Sequence, residues 1–139
     1  MENLRLHSEH VERIDSWEEG LYKATAPLLQ ANVLTSMYLK EIVEEVHRSG
    51  ETLALGKEVV YFHARPHEGV NENFIACVHT EEPVRYFNQP IRHLFVFGAK
   101  SDAEHREILS LTSRYVSAMR EDSSLKEEAR FIRWFKSRL

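Results

Sequence analysis

The sequence predicts a single α/β domain, with helices packed on a mixed β-sheet. Three observations carry this reading. The chain has 139 residues, 42% of them apolar, which is the size and apolar content of one domain with its own core. The hydrophobic period is helical near both ends of the chain and β-like through its middle. Gly (5) and Pro (4) are scarce, and no Pro-, Gly- or Ser-rich stretch reads as a linker, so residues 1–139 are expected to form one unit.

Taken in order, Leu4 and Leu6 alternate with Asn3, Arg5 and His7, as in a short edge strand. Ser16-Trp17-Glu18-Glu19 has the form of a capping box. It opens a helix with Trp17, Leu21, Ala24 and Leu28 on one face, which Pro27 is expected to kink or end. Thr35 is placed to cap a second helix through Met37/Tyr38, Ile42 and Val46, stopped near Ser49-Gly50. Two short β-type runs, Thr52 to Leu55 and Glu58 to Phe62, then flank Gly56-Lys57. Phe74 to Thr80 follows the polar turn Asn71-Glu72-Asn73 as a further strand. Ile91 to Phe97 is the next, and its Leu-Phe-Val-Phe centre predicts a strand buried on both faces. Ser101-Asp102-Ala103-Glu104 is a second capping box, opening a helix through Ile108, Leu111, Tyr115 and Met119. Ser124 with Glu127 is placed to start a last helix carrying Leu125, Ala129, Ile132 and Phe135.

Charge and composition narrow the function. Lys and Arg number 18 against 22 Asp and Glu, a net charge of −4. A duplex-DNA binder shows the opposite balance, so no nucleic-acid partner is expected. The acidic sign suits a partner with a basic face. One cysteine, Cys77, excludes an internal disulfide and a Cys-rich zinc site. No run approaches the roughly 20 apolar residues of a membrane-spanning helix. Met1-Glu2-Asn3-Leu4-Arg5 lacks the apolar core of a signal peptide, and the cytoplasm is the expected compartment. The unusual count is histidine: eight, more than Gly.

The chemistry is best placed at Val59-Val60-Tyr61-Phe62-His63-Ala64-Arg65-Pro66-His67-Glu68-Gly69-Val70. An apolar strand ends there at His63, and strand ends in α/β folds are where ligands and reactive groups collect. Neutral imidazole is a good nucleophile near pH 7. His105 falls in the first turn of the helix capped by Ser101, where unpaired N–H groups and the helix dipole disfavour imidazolium and favour a nearby anion. Arg48 lies near the end of the second helix. Taken singly, His63 reads as a strand end, His105 as an exposed polar residue and Arg48 as a C-terminal helix cation; their order along the chain is the signal.

In that order the chain resembles the type-2 EIIA domains of the bacterial phosphoenolpyruvate-dependent sugar phosphotransferase system. The residues after His63, Ala64-Arg65-Pro66-His67-Glu68-Gly69-Val70, are similar to the ascorbate-type branch. Ser101-Asp102-Ala103-Glu104-His105-Arg106-Glu107-Ile108-Leu109, the stretch Leu29 to Ile42 and the Glu82-Pro83-Val84 step extend the likeness. It runs from about residue 4 onward and thins after Tyr115. The sequence departs from the family at two places: Phe62 stands where proline usually precedes the active histidine, and Glu58 at the expected glycine.

The resemblance implies a three-layer α/β/α fold with helices on both faces of the sheet. It implies a phosphoryl carrier in which His63 is the nucleophile and transient phosphohistidine. HPr would be the donor and an EIIB component, carrying an acceptor cysteine in this branch, the recipient. His105 and Arg48 would stabilise the phosphoryl group, with no metal and no cofactor. Contact with the membrane would be indirect, through the transporter. Arg65 and His67 beside His63 read as solvated loop residues, or as contacts to the phosphoryl group or a partner. Tyr61 and Phe62 are expected to divide, one to the core and one available for docking. Trp134 and Phe135 read as packing residues, or as a homodimer contact.

Two other readings compete. His63 and His67 are four apart, as in helical zinc motifs, but Pro66 lies between them. A regulatory EIIA-like module with altered or lost transfer is the second, drawn from Phe62. His79 and His93 fall in or beside strands and read as hydrogen-bonded structural residues, and Cys77 as an inert core thiol.

Overall fold

The computed structural model describes residues 3–54, 57–66 and 69–139. In chain order its regular elements are β1 (Arg5–Val11), α1 (Trp17–Gln30), α2 (Ser36–Ser49), β2 (Val59–Phe62), β3 (Phe74–Tyr86), β4 (Gln89–Gly98), α3 (Asp102–Glu121) and α4 (Glu128–Lys136). Among the described residues the strands form one four-stranded mixed sheet in the order β1-β3-β4-β2. β1 runs parallel to β3, β3 antiparallel to β4, and β4 parallel to β2.

Both faces of this sheet are covered, and the strand sequences show it. Leu94 and Val96 of β4 face one core with α1 and α2, while Phe95 and Phe97 face the other with α3 and α4. All four are wholly buried, as expected of a strand enclosed on both sides. β2 behaves likewise. Phe62 is a core residue on the α1/α2 side, against Trp17 and Tyr86, and Tyr61 one on the α3 side, against Phe95. The expectation that one of the two would be available for docking is therefore corrected, because alternation on this strand only chooses between two interiors.

The helix ends follow the sequence with local differences. Ser16 accepts from the Glu19 N–H at 3.1 Å, but the Glu19 carboxylate reaches back to the N–H of Asp15 rather than closing the box on Ser16. Pro27 lies in the last turn of α1, and the helix stops at Gln30. Thr35 occupies the N-cap of α2 but makes no side-chain cap; its hydroxyl donates to the Gly69 carbonyl instead. Ser101 caps α3 as expected, accepting from Glu104. The last helix starts later than Ser124: Ser123–Lys126 is a 3₁₀ turn capped by Asp122, and α4 begins at Glu128.

Two further expectations change. Thr52 to Ala54, the described part of the expected run Thr52 to Leu55, is not a strand. Gly50–Leu53 forms a 3₁₀ turn that extends α2, held by the Tyr86 hydroxyl donating to the Gly50 carbonyl at 2.6 Å, and Ala54 makes an isolated bridge to Val60. Leu55 and Gly56 lie outside the described residues. β3 and β4 run past Thr80 and start before Ile91, meeting at a tight turn through Phe87 and Asn88. Pro83 sits inside β3 because the ladder shifts register between His79 and Val84, a bulge where a strand tolerates a missing N–H.

On the α3/α4 face, His10, His79 and His93 stand side by side across β1, β3 and β4. The Nδ1 atoms of His79 and His93 are 2.9 Å apart, so one donates and the other accepts. Burial, then the neighbouring positive groups, holds both imidazoles well below the usual histidine range. The unfolded chain binds protons on these groups as pH falls below about 6.5, while the folded chain does not, so acid favours unfolding. The urea midpoint should thus be steady above pH 6.5 and fall toward pH 5. A single imidazole kept neutral at pH 5 accounts for about 2 kcal/mol of that loss, and a midpoint flat from pH 7 to pH 5 contradicts it.

Candidate active site

The site forms where β2 and β4 end together. Val59 to Phe62 pair in register with His93 to Val96, and His63 leaves the sheet one residue later. By alternation its ring turns to the α3 side. There it stacks on Phe97, with ring centroids 4.7 Å apart and planes 20° from parallel. His105 of α3 meets the same two rings: its centroid is 5.1 Å from His63, edge-on, and 5.3 Å from Phe97. Phe97 is a common floor beneath both imidazoles.

The start of α3 is fixed by a residue that the sequence marks only as part of a turn. Asn73, just before β3, accepts from the Lys100 N–H at 2.9 Å and donates to the Glu104 carboxylate at 2.6 Å. Glu104 also accepts from the Ser101 hydroxyl. These bonds set the first turn of α3, and with it His105, against the sheet end. The Nδ1 of His105 is buried and has no hydrogen-bond partner.

Both imidazoles are neutral at physiological pH. Burial is the main cause at His63, pushing its pKa down to about 4, and neighbouring His105 acts in the same direction. A hydrogen bond to the Ala64 backbone and the charge of Glu45 oppose this and are outweighed. At His105 burial also lowers the pKa, against Asp102, which raises it. A neutral imidazole that donates one N–H to a carbonyl keeps a lone pair on the other nitrogen, the state a nucleophile requires.

A cleft of about 920 Å³ opens beside these rings. Arg48, His63, Ala64, Arg65, Pro66 and His105 line it, together with Glu41, Glu45 and Asp102. The structure therefore brings Arg48, His63 and His105 to one place. Arg48 is exposed at the rim, its guanidinium 2.7 Å from the Glu45 carboxylate, which holds that carboxyl below its usual range. Arg65 lines the cleft as well, and His67 lies outside the described residues. Among the described residues no three His, Cys, Asp or Glu side chains are grouped to hold a metal. Glu58, where the resemblance led us to expect glycine, has φ 68°, the left-handed region that glycine favours. Its carbonyl accepts from the N–H groups of Arg92 and His93, which ties the start of β2 to β4.

Residues 6–128 match the family of the phosphoenolpyruvate-dependent sugar phosphotransferase system, EIIA 2. The chain belongs to that family. This EIIA chain is similar to the ascorbate-specific phosphotransferase-system EIIA component of Salmonella typhi, 25% identical over 109 residues, which cover 76% of this chain and 68% of that one. The enzyme IIA-mannitol complex with phosphorylated enzyme IIB-mannitol from Escherichia coli shares the fold, with a TM-score of 0.66 at 16% identity over 91% of this chain and 83% of that chain. So does the nitrogen regulatory protein IIA-Ntr of Neisseria meningitidis, with a TM-score of 0.66 at 23% identity over 95% and 94%. Among the described residues no helix is long and apolar enough to cross a membrane.

The protonation state can be checked directly. In an NMR titration the His63 ring signals should hold their neutral position down to about pH 5 and move with a midpoint near 4. A midpoint at the ordinary histidine value near 6.5 would show that burial does not control the group.

Proposed function

We propose that this EIIA chain is a cytoplasmic phosphoryl carrier that takes a phosphoryl group from phospho-HPr on His63 and passes it to an EIIB component for carbohydrate uptake. The observation that carries the reading is the neutral His63 imidazole, stacked on Phe97 and edge-on to His105 at the start of α3. Family membership supports it. So do the ascorbate-specific EIIA relative and the solved IIA complex with a phosphorylated IIB.

The geometry supports an in-line transfer. The free lone pair of His63 attacks phosphorus in line with the bond to the donor's imidazole. A new N–P bond forms as the donor's N–P bond breaks, and the electron pair returns to the donor nitrogen. The N–H of His63 held by Ala64 stays in place, so no proton need leave in the same step. Charge gathers on the three equatorial oxygens and has to be met by fixed donors. His105 and the first turn of α3 supply them from one side. Arg48 reaches the group by exchanging Glu45 for a phosphoryl oxygen. In the second transfer a thiolate of EIIB forms an S–P bond as the N–P bond to His63 breaks. The net charge of −4 suits docking to partners with a basic face around their own reactive group.

Incubation with phosphoenolpyruvate, enzyme I and HPr, read by intact mass, tests the reading. The wild type should gain one acid-labile phosphoryl group and His63→Ala none. His105→Ala should still label, roughly a hundredfold more slowly. An unlabelled wild type beside a labelled control EIIA would remove the carrier reading and leave a regulatory module in its place.

A further inference from the structure

We infer that Tyr38 is the positioning residue of His63: its buried hydroxyl bridges the ends of β2 and β4 and so sets the tautomer and aim of the imidazole. The inference rests on His63 being the phosphoryl acceptor.

Tyr38 lies in the first turn of α2, on the face of the sheet opposite to the His63 ring. It has no solvent exposure. Its hydroxyl oxygen accepts from the Ala64 N–H at 3.1 Å and donates to the Phe97 carbonyl at 2.9 Å. It also lies 3.4 Å from the Ala64 carbonyl oxygen. Direct pairing of β2 with β4 ends at Phe62 and Val96, two residues before Ala64 and one before Phe97. The hydroxyl thus joins the two strands where their own ladder stops. A hydroxyl is suited to this because it accepts and donates at one atom. A phenyl ring there would leave a buried N–H and a buried carbonyl short of partners.

The two residues held in this way are the two that control His63. The Ala64 backbone is the hydrogen-bonding neighbour that acts on the His63 imidazole, and such a partner decides which ring nitrogen keeps the lone pair. Phe97 is the ring on which His63 stacks. One hydroxyl therefore sets the hydrogen-bond partner of the nucleophile and the floor beneath it. The same turn of α2 grips the loop further on, where the Thr35 N–H and hydroxyl both donate to the Gly69 carbonyl, at 2.9 and 3.1 Å.

Tyr38 is itself fixed. Its ring meets Phe74 edge-on, with centroids 6.2 Å apart. A Cβ at position 98 would come within 3.0 Å of the Tyr38 ring and 2.5 Å of the Phe74 ring, so the glycine there makes room for both. Burial raises the pKa of the hydroxyl and keeps its proton on, which the donation to Phe97 requires.

The test compares Tyr38→Phe with Tyr115→Phe. Tyr115 is likewise buried, on the α3/α4 face of the sheet, and its hydroxyl donates to the Leu125 carbonyl rather than to any group at the ends of β2 and β4. Phosphorylation by phospho-HPr is followed at varied donor concentration, and the His63 tautomer is read from the nitrogen shifts of its ring. Tyr38→Phe should lower the maximal rate roughly 10- to 100-fold with the half-saturating donor concentration unchanged. It should also turn one His63 tautomer into a mixture, while Tyr115→Phe changes neither. A wild-type rate and tautomer in Tyr38→Phe, or the same losses in Tyr115→Phe, would overturn the inference. If the wild type accepts no phosphoryl group, the carrier reading fails, and the tautomer alone judges Tyr38. If Tyr38→Phe does not fold, hydrogen exchange of the wild type decides. An Ala64 amide as protected as those of β2 supports the bridge, and one exchanging at an open-loop rate overturns it.

Discussion

Leu94, Phe95, Val96 and Phe97 are closed off from water, two on each face of the sheet. A strand so placed cannot carry a polar side chain without a partner, and it cannot shift by one residue without exchanging two cores. That constraint fixes β4, and β4 fixes its neighbours. β2 joins it through only four register pairs, yet each of its residues is buried. The first position at which this pair of strands can offer chemistry is therefore the first one beyond it. His63 is that position. Its ring still follows the strand's alternation, so it arrives over Phe97 on the side of α3.

The site is built from both layers. Imidazole chemistry lies on the α3 side, where Asn73, Ser101 and Glu104 hold the start of the helix and His105 completes the pair of rings. Backbone control comes from the α2 side, through the Tyr38 hydroxyl and the Thr35 contacts. Charge is arranged more loosely. Arg48 and Arg65 share the cleft with Glu41, Glu45 and Asp102, and Arg48 is held by a carboxylate. Fixed rings and backbone with exposed, ion-paired charge at the rim suit the proposed acceptance and release of a phosphoryl group, since a cleft too rich in unpaired cations would retain the anion.

Much of this was legible in the sequence. The Leu-Phe-Val-Phe run, the Ser101 cap, and the placing of His63 at a strand end and His105 in a first turn are local patterns with a direct physical meaning. What was missed depends on partners far along the chain. Tyr38 has the spacing of any core residue on α2, and its hydroxyl acquires a task only because positions 64 and 97 end beside it. Asn73 looks like one polar residue of a turn until Lys100 and Glu104 arrive. The strand expected over Phe74 to Thr80 runs on to Tyr86, because a bulge between His79 and Val84 absorbs Glu81-Glu82 and Pro83. Thr52 to Leu55 has β-type residues, but the Tyr86 hydroxyl on the Gly50 carbonyl draws the start of that segment into a helical turn. Glu58 shows the reverse case. A glycine-like backbone angle persists without glycine, because the Glu58 carbonyl holds β4 in register.

The two-layered interior also divides the molecule optically. The chain has two tryptophans. Trp17 packs on the α1/α2 side against Phe62 and Tyr86. Trp134 lies on the α3/α4 side against Tyr115 and Phe135, with the Arg138 guanidinium 3.9 Å over its ring. Each layer thus carries its own fluorophore, one in an aromatic nest and one beneath a cation. Removing either leaves an emission that reports a single side of the sheet.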